Sequence, residues 1–237
     1  MVSKEQVKDP KWRILMEAIE LFVDKGFKET TIGDIAEAAE VTASQFKARF
    51  RTKDGVLYEL IDFMFDSQFA LARSNPNDDP VFVYALETAI QLSIAEKHEH
   101  IRELYLEAYS APRSLEFIRQ RTAKELHHAF KAYNPSYEEI DFYECEIGTS
   151  GLMKAYMGHP CSMHFPLKTK VERFLQMALK AYNVPESKRN SVIASIASLD
   201  LNELSAKVLG RLFDSLESTF HCRFTSYHPD EAMGHAA

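Results

Sequence analysis

The stretch TTIGDIAEAAEVTASQFKARFRTK, residues 30–53, decides the fold. Its first part predicts a short helix that begins after Thr31, because the threonine hydroxyl can accept a hydrogen bond from the backbone amide of Asp34. Apolar side chains then recur at helical spacing. These are Ile32, Ile35, Ala36 and Ala39.

A second short helix follows after only two intervening residues, Glu40 and Val41. Thr42 and Gln45 have the spacing of a capping box, and Phe46 and Phe50 lie four residues apart on one face. Two helices joined this tightly must cross steeply, and small alanines permit the close approach. The stretch therefore predicts a helix-turn-helix unit.

The second helix and its exit carry four cations, and no acidic residue lies between Val41 and Lys53. Most charge runs are simply solvated helix faces. Here the cations follow a tight two-helix corner with capping signals, so we interpret them as a DNA-binding surface. The four are Lys47, Arg49, Arg51 and Lys53.

These residues resemble a known family. From Arg13 to Leu60 the chain resembles the N-terminal domain of the TetR/AcrR family of bacterial transcriptional regulators. The matching pieces are ILMEAIELFVDKGF (14–27), TIGDIAEAA (31–39), VT (41–42), Phe50 and TKDGVL (52–57). The resemblance implies an all-α protein, in which an N-terminal three-helix helix-turn-helix domain is followed by a helical ligand-binding and dimerisation bundle.

Three positions depart from the family pattern. Glu40 replaces the usual glycine at a turn that often requires a left-handed backbone, which costs other residues about 1–2 kcal/mol. Lys47 stands where a phosphate-contacting tyrosine is common, and Ser44 where glycine is common. A lysine can still reach phosphate, so we expect the binding mode to be retained and the individual operator contacts to differ.

Two groups of residues are predicted to contact DNA. Thr31, Thr42 and Lys53 lie at helix N-termini, where backbone amides and the helix dipole favour phosphate. The second group is expected to face the major groove, where Gln45 can pair with adenine through two hydrogen bonds. It comprises Ala43, Ser44, Gln45 and Lys47, with Arg49 suited to either role.

Composition sets the broader class. The chain has 237 residues, is 46% hydrophobic and has a formal net charge of −7, which is unusual for a DNA-binding protein. The first 60 residues are almost balanced in charge, so the acidic excess lies beyond them. Three cysteines without a paired motif, no bilayer-length apolar run and a charged N-terminus predict a cytoplasmic protein with no membrane contact.

The domain organisation follows from breaker residues. We expect a helix-turn-helix domain over residues 1–56, a helical ligand-binding and dimerisation domain over 57–222, and a C-terminal tail over 223–237. A helix over 52–73 links the two domains, and NPNDDP at 75–80 ends it. Every later segment reads as helical, with capping boxes expected at Ser136–Glu139 and Asp200–Glu203.

The second domain is rich in aromatic residues, most of which are ordinary core. The resemblance implies a cavity among these helices, which would take a small apolar or aromatic effector. The candidate lining residues are Phe63, Phe69, Tyr84, Tyr105, Tyr109, Phe117 and Met153. Arginines that could meet an anionic group, although solvation is the simpler interpretation, are Arg102, Arg113, Arg119 and Arg121.

The segment HPCSMH, residues 159–164, is the strongest metal-like pattern, but it lacks a recognisable fourth ligand. Cysteine and histidine are present without a local signature of nucleophilic catalysis. We therefore predict no metal site, no cofactor, no catalytic residue and no enzymatic activity.

The resemblance also implies a homodimer formed by two helices of each protomer. Two sets of apolar positions compete for this face, and periodicity does not choose between them. One set is Leu152, Met153, Tyr156 and Met157 with Phe174, Leu175, Met177 and Leu179. The other is Leu204, Val208, Leu212, Phe213 and Leu216.

The sequence thus predicts a homodimeric, ligand-responsive transcriptional regulator, most simply a repressor. Its partners are double-stranded DNA, bound at a palindromic operator through the helix over residues 42–50, and a small-molecule effector that releases it. The alternative is a helical small-molecule-binding protein or enzyme whose DNA-binding unit is vestigial. Glu40 and the negative net charge motivate that alternative.

Overall fold

The computed structural model describes residues 10–217, with the backbone alone from 211 to 217. Within this range the regular structure is helical apart from one bridge between Ser162 and Phe165, which confirms the all-α prediction. The expected start of the first domain, the tail over 223–237 and the side chains of Leu212, Phe213 and Leu216 lie outside the described residues.

Eleven α-helices make up the described fold. They are α1 (Pro10–Asp24), α2 (Ile32–Ala38), α3 (Ala43–Phe50), α4 (Lys53–Arg73), α5 (Pro80–Ile94), α6 (Glu99–Ala108), α7 (Pro112–Phe130), α8 (Glu139–Met157), α9 (Leu167–Ala181), α10 (Glu186–Ala197) and α11 (Leu201–Glu217).

The first three helices form a small bundle around α1. One face of α1 is buried, and it packs against α2 and α3. Gly26 ends the helix region with a φ of 91°, a conformation that suits glycine because it lacks a Cβ. Phe22 and Phe27 then pack on each other across this turn, with ring centroids 4.9 Å apart.

The long helix α4 connects this bundle to the rest of the protein. It contacts α1 and α3 of the first bundle and α5, α6, α7 and α11 of the second. Thr52 is its N-cap residue, but the threonine hydroxyl makes no capping hydrogen bond. The buried side of α4 runs from Val56 to Ala72, so both ends of the helix are held in one continuous core.

Helix α5 is the centre of the second bundle. Asp79 caps it by accepting a hydrogen bond from the Val81 amide at 3.1 Å, and Pro80 occupies its first turn. Every residue from Val81 to Ile94 is buried. A helix that is buried all round must be enclosed by others, and here α4, α7, α9, α10 and α11 enclose it.

One predicted cap is wrong. Helix α8 begins at Glu139 rather than Ser136, and its capping box joins Glu138 to Asp141. The cause is the turn before it, in which the Tyr137 amide donates to the Asn134 carbonyl and the Tyr137 ring packs on Phe142. At α11 one half of the predicted box is present, since one carboxylate oxygen of Asp200 accepts from the Glu203 amide at 3.0 Å, while the Glu203 carboxylate pairs with Lys207 at 2.6 Å.

None of the helices described between residues 10 and 217 combines the length and apolar character needed to cross a bilayer.

Candidate DNA interface and ligand cavity

The corner between α2 and α3 has the predicted capping geometry. The Thr31 hydroxyl accepts from the Asp34 amide at 3.1 Å, and the Asp34 carboxylate accepts from the Thr31 amide at 2.8 Å. The hydrogen bond from the Lys25 ammonium at 2.6 Å, and after it the bonds from Thr31 to the carboxylate, lower the pKa of Asp34 to about 2. The start of α2 is therefore fixed by charge-assisted hydrogen bonds.

The turn itself is tight. Ala36 and Ala39 are buried, as the close approach of the two helices requires. The Val41 amide donates to the Ala36 carbonyl at 2.9 Å, and Glu40 between them has a φ of 50°. The expected left-handed conformation at Glu40 is thus confirmed, in a residue that lacks the freedom of glycine.

Helix α3 is anchored by two rings and is otherwise exposed. Phe46 and Phe50 are buried with ring centroids 5.9 Å apart, and the other six residues of the helix are exposed. A helix of eight residues that buries so little is held by its cap and two anchors. Its outer surface is the expected DNA-facing set Ala43, Ser44, Gln45, Lys47 and Arg49.

Gln45 has a second role in the structure. Its side-chain oxygen accepts from the Thr42 amide at 2.8 Å and from the Thr42 hydroxyl at 3.2 Å. A glutamine that pairs with adenine uses the same oxygen as acceptor. Gln45 must therefore leave the capping box, or share this oxygen, to contact a base.

Lys53 points into the protein. Its ammonium donates to the carbonyls of Phe27, Lys28 and Thr30, and it lies 4.3 Å from the centre of the Phe27 ring. Burial lowers its pKa, against the opposing effect of nearby acids such as Asp54. Lys53 therefore joins the loop after α1 to the start of α4, whereas Lys47 on α3 is exposed.

A cavity of about 90 Å³ lies between the helix-turn-helix domain and the second bundle. Helices α1, α4, α5, α6, α7, α8, α9 and α11 all contribute to its walls. Its apolar side chains include Leu60, Met64, Phe65, Leu104 and Phe174. Because Ile19 and Val23 of α1 line it, an occupant of the cavity would contact the helix-turn-helix domain directly.

The predicted lining residues divide into two groups. Tyr84, Tyr105, Tyr109 and Met153 line this cavity. Phe69 instead borders a separate surface pocket near Arg73, and Phe117 packs against Tyr58 with ring centroids 4.6 Å apart. Phe63 is partly exposed and lies outside the cavity lining.

Polar groups that periodicity did not single out also line the cavity. Gln68 donates to the Tyr105 hydroxyl, and Gln91 donates to the Tyr109 hydroxyl at 3.1 Å. Glu87 and Glu146 are both buried, with 5% and 4% of their surface exposed. The available signal was one acid, Glu87, inside the otherwise uncharged and mainly apolar segment from Val81 to Ile94.

The two buried acids have raised pKa values. Burial raises the pKa of Glu87 to about 8, with a further contribution from Glu146. Burial raises the pKa of Glu146 to about 7, against hydrogen bonds from Thr149 and Tyr182 that lower it. At neutral pH the empty cavity therefore holds Glu87 mainly in its uncharged form.

Helix α6 connects the cavity to the helix-turn-helix domain. One side of it, with Leu104 and Tyr105, lines the cavity. The other side reaches the end of α1, where the Glu103 carboxylate accepts from the Phe27 amide at 3.1 Å. The His100 Nδ1 atom also lies 2.6 Å from the Val23 carbonyl oxygen. A shift of α6 would therefore change these two contacts at the end of α1.

The four candidate arginines lie outside the cavity lining. Arg102 pairs with Glu96 at 3.0 Å, and Arg121 pairs with Asp62 at 3.1 Å and also with Asp66. Arg119 donates to the Ser150 hydroxyl at 3.2 Å, and Arg113 stacks over the Tyr58 ring. Each of these arginines thus contacts other protein side chains outside the cavity lining.

The HPCSMH segment has a structural explanation. Lys170 is completely buried, pairs with Glu96 at 2.5 Å and donates to the His159 carbonyl. Glu96 also accepts from the Cys161 amide at 3.0 Å, while His159 and His164 are exposed. Within residues 10–217 no group of three metal-binding side chains converges, in this loop or elsewhere.

The proposed dimer positions need correction at the residue level. Met153, Met157, Phe174, Leu175 and Leu179 are buried inside the protomer, and so is Val208 of the competing set. Met177 of the predicted set is 45% exposed on α9, and the exposed apolar side chains of α8 are Ile140 and Ile147, at 62% and 47%, which the prediction did not include. Periodicity identified apolar positions but not the face of the helix that the protein fold already covers.

A capped α2, a tight turn and an exposed α3 held on α1 define the described N-terminal domain as a helix-turn-helix DNA-binding domain. The sequence profile of the bacterial regulatory proteins of the tetR family matches residues 14–60. The helix-turn-helix domain of this chain is therefore similar to that of the tetR family, and residues 14–60 carry the similarity.

Individual proteins named as HTH-type transcriptional regulators are also similar to this chain in sequence. The HTH-type transcriptional regulator TtgR of Pseudomonas putida is 30% identical over 79 residues, 33% of this chain and 38% of that protein. The probable HTH-type transcriptional regulator ArpR, also of Pseudomonas putida, is 30% identical over 77 residues, 32% of this chain and 37% of ArpR.

The uncharacterized HTH-type transcriptional regulator YuxN of Bacillus subtilis is 22% identical over 108 residues, 45% of this chain and 37% of YuxN. The chain thus spans less than two fifths of the length of each of these relatives.

Proposed function

We propose that this protein is a homodimeric, ligand-responsive transcriptional regulator, most simply a repressor, that binds a palindromic operator and is released by a small effector. The observation that carries the proposal is the geometry of α3, which buries only Phe46 and Phe50 and exposes the rest of its surface. A helix held in this way is suited to insertion into the major groove.

The DNA contacts are proposed in two parts. The N-termini of α2 and α3, capped by Thr31 and Thr42, present backbone amides to phosphates. Ala43, Ser44, Gln45 and Lys47 face the bases, and Arg49 either the bases or the backbone. Lys53 acts indirectly, because its hydrogen bonds hold the loop after α1.

The dimer is proposed to form through α8 and α9. Along the exposed side of α8, Ile140 and Ile147 are followed by Gly148 and Gly151, and a Cβ added at either glycine would meet no atom within 4 Å. Apolar side chains beside glycines allow a second helix to approach closely. Met177 of α9 extends the same type of surface.

The effector is proposed to act from the cavity. It contacts α1 and α4 of the DNA-binding side as well as α6, whose Glu103 holds the Phe27 amide. A ligand shifts the equilibrium only by its differential affinity for two states. Filling a cavity of about 90 Å³ favours a state with separated walls, and α1 and α6 are two of those walls.

The rival function is a helical binding protein whose DNA-binding unit is vestigial. The strained Glu40 and the net charge of −7 favour it. It predicts that changes on the exposed surface of α3 alter surface charge and nothing else.

The test is selection from a genomic fragment library, in which the DNA retained by purified protein is sequenced. The selection is repeated with Gln45→Ala/Lys47→Ala, and with Lys124→Ala as a matched loss of an exposed lysine on α7. We expect one palindromic site, retained by the wild type and the control and lost by the double variant. Recovery of no site, or of unspecific DNA by all three proteins, would support the vestigial alternative.

A further inference from the structure

We propose that the cavity takes an organic monocation, a quaternary or protonated amine on an apolar or aromatic body, with the Glu87 carboxylate as its counter-ion. The inference rests on the proposed function of this cavity as the effector site and names the chemical class of the effector.

Glu87 is a buried acid without a hydrogen-bond or ion-pair partner among the described residues. Its side chain lines the cavity and is 5% exposed, yet its carboxyl group forms no hydrogen bond or ion pair with any residue between 10 and 217 that the structure describes. Buried polar groups are nearly always paired, since desolvation without a partner costs several kcal/mol. A lone buried carboxyl that faces a cavity is therefore suited to a ligand.

Glu146 provides the contrast within the same cavity. Its carboxylate accepts from the Thr149 hydroxyl at 2.5 Å and from the Tyr182 hydroxyl at 3.3 Å. Thr149 and Tyr182 are themselves joined at 2.6 Å, so this acid has an internal network. Glu87 is thus the acid left for an outside partner, and Glu146 adds a second negative potential close by.

The charge of the cavity has one sign. Among the residues described as lining it there are two acids and no lysine, arginine or histidine. The other polar groups there are neutral amides and hydroxyls, which can orient a ligand but cannot balance a charge. An anionic ligand would meet two carboxyl groups, whereas a cation would pair with the carboxylate that Glu87 forms when it loses its proton.

The walls suit an organic cation rather than a metal ion. Phe65, Tyr84, Tyr105 and Tyr109 contribute aromatic rings, and aromatic faces attract quaternary and protonated amines. The remaining walls are mainly aliphatic, so an apolar body is accommodated. The three residues needed for a metal site do not converge within the described chain.

The surrounding charges set a pH dependence for binding. Glu87 faces Glu146 of α8, Glu125 of α7 and, with the opposite sign, Arg73 of α4. The hydroxyls of Tyr84, Tyr105 and Tyr109 line the same cavity and stay protonated, because burial raises their pKa values. Since the pKa of Glu87 is raised to about 8, a cation that binds below this pH must displace a proton.

The experiment compares two pairs of probes matched in shape. Choline is paired with neutral 3,3-dimethylbutan-1-ol, and tetraphenylphosphonium is paired with anionic tetraphenylborate. Both cations carry permanent charge, so only the protein titrates. Titration calorimetry on the full chain is expected to show at least tenfold tighter binding of the cation in at least one pair. It is also expected to show release of about one proton per cation at pH 6–7.

The variants separate charge from shape. Glu87→Gln keeps the size of the side chain, and we expect it to weaken cation binding at least tenfold and to abolish the proton release. Glu186→Gln removes an exposed acid at the start of α10 and should change neither. For the wild type, affinity should rise about tenfold per pH unit from pH 6 to about 8 and then level off.

The inference is overturned if neither cation binds, if the neutral or anionic probe of each pair binds as well as its cation, or if Glu87→Gln binds the cations like the wild type. Failure of the proposed function is a different result. If the protein binds the cations through Glu87 but retains no specific DNA, the cation site is supported and the proposed function as a regulator is contradicted.

Discussion

At the scale of single residues, Glu40 occupies the one position of the helix-turn-helix corner where the backbone is left-handed. Its φ of 50° lies between the Ala39 end of α2 and Val41, which donates back to Ala36. Strain of about 1–2 kcal/mol is expected for a residue with a Cβ in this conformation. The nearby carboxyl of Glu40 also contributes to the raised pKa of Glu17, whose main cause is burial.

Glu40→Gly should therefore stabilise the protein. Relief of strain exceeds the extra entropy of glycine in the unfolded chain, so we expect the free energy of unfolding to rise by about 0.5–1 kcal/mol in chemical denaturation. Glu37→Gly is the matched control, because Glu37 lies inside α2, and it should lower the free energy of unfolding by a similar amount. Destabilisation by Glu40→Gly would show that the turn is not strained.

Glu87 should make the stability depend on pH. Its pKa is about 8 when folded against an ordinary value of 4.5, so the unfolded chain ionises first as pH rises. Stability is then lost between about pH 4.5 and 8. Glu87→Gln does not titrate, so its stability advantage over the wild type should grow from pH 5 to pH 8, by roughly 2–4 kcal/mol.

Thermal or urea unfolding at several pH values measures this advantage. Glu186→Gln, an exposed acid, should follow the wild-type profile. An advantage of Glu87→Gln that is constant from pH 5 to pH 8 would mean that the buried carboxyl is ionised as readily in the folded protein as in the unfolded one.

At the scale of elements, the junction between α3 and α4 depends on one glycine. A Cβ added to Gly55 would lie 2.1 Å from the Phe50 carbonyl oxygen, a backbone atom that cannot move aside without shifting α3. Phe50 is also one of the two anchors of that helix. The close approach of α4 to the end of the recognition helix therefore leaves no room for a side chain.

Gly55→Ala is expected to lower the free energy of unfolding by about 2 kcal/mol or more and to weaken DNA binding. Gly210→Ala in α11 is the matched control, because a Cβ there meets no atom within 4 Å. It should raise stability by about 0.5–1 kcal/mol through helix propensity. Equal behaviour of the two variants in denaturation would refute the steric explanation.

Local sequence signals predicted the elements better than the site. Thr31 and Thr42 cap helices as expected because capping depends on residues only a few positions apart. The capping box predicted at Ser136 does not form, because Glu138 and Asp141 have the same spacing and form the box instead. Glu87 was missed because its burial depends on the helices that pack around α5. The sequence pattern of a single helix does not show which other helices surround it.

At the scale of the whole molecule, the interior of the protomer and its outer face have separate roles. The cavity joins the DNA-binding helices to the second bundle through α1, α4 and α6. The exposed strip of α8 with Ile140, Ile147 and Gly151 faces away from this interior. In the proposed regulator, an effector in the cavity acts by changing the distance between two recognition helices. A single protomer has only one such helix, so this mechanism requires a dimer.

Gly151→Arg should convert the dimer into monomers. The site is exposed and nothing lies within 4 Å of an added Cβ, so the protomer tolerates the side chain while a second α8 cannot approach. Sedimentation velocity should show loss of the dimer with unchanged helical content. Ala70→Arg, at an exposed position of α4, adds the same charge elsewhere and should leave the dimer intact. A Gly151→Arg dimer of wild-type strength would place the interface on another face.

The most direct test of the central claim uses the palindromic site recovered by selection. Its two half-sites should be one helical turn apart, about 34–36 Å, so that both copies of α3 reach the same face of DNA. Affinity is measured for this site and for one with about five base pairs, half a helical turn, inserted at its centre. We predict a loss of roughly 100-fold or more on insertion, because the second recognition helix then faces the wrong side of the duplex. Equal affinity for both sites would contradict a dimer that holds two recognition helices at a fixed spacing.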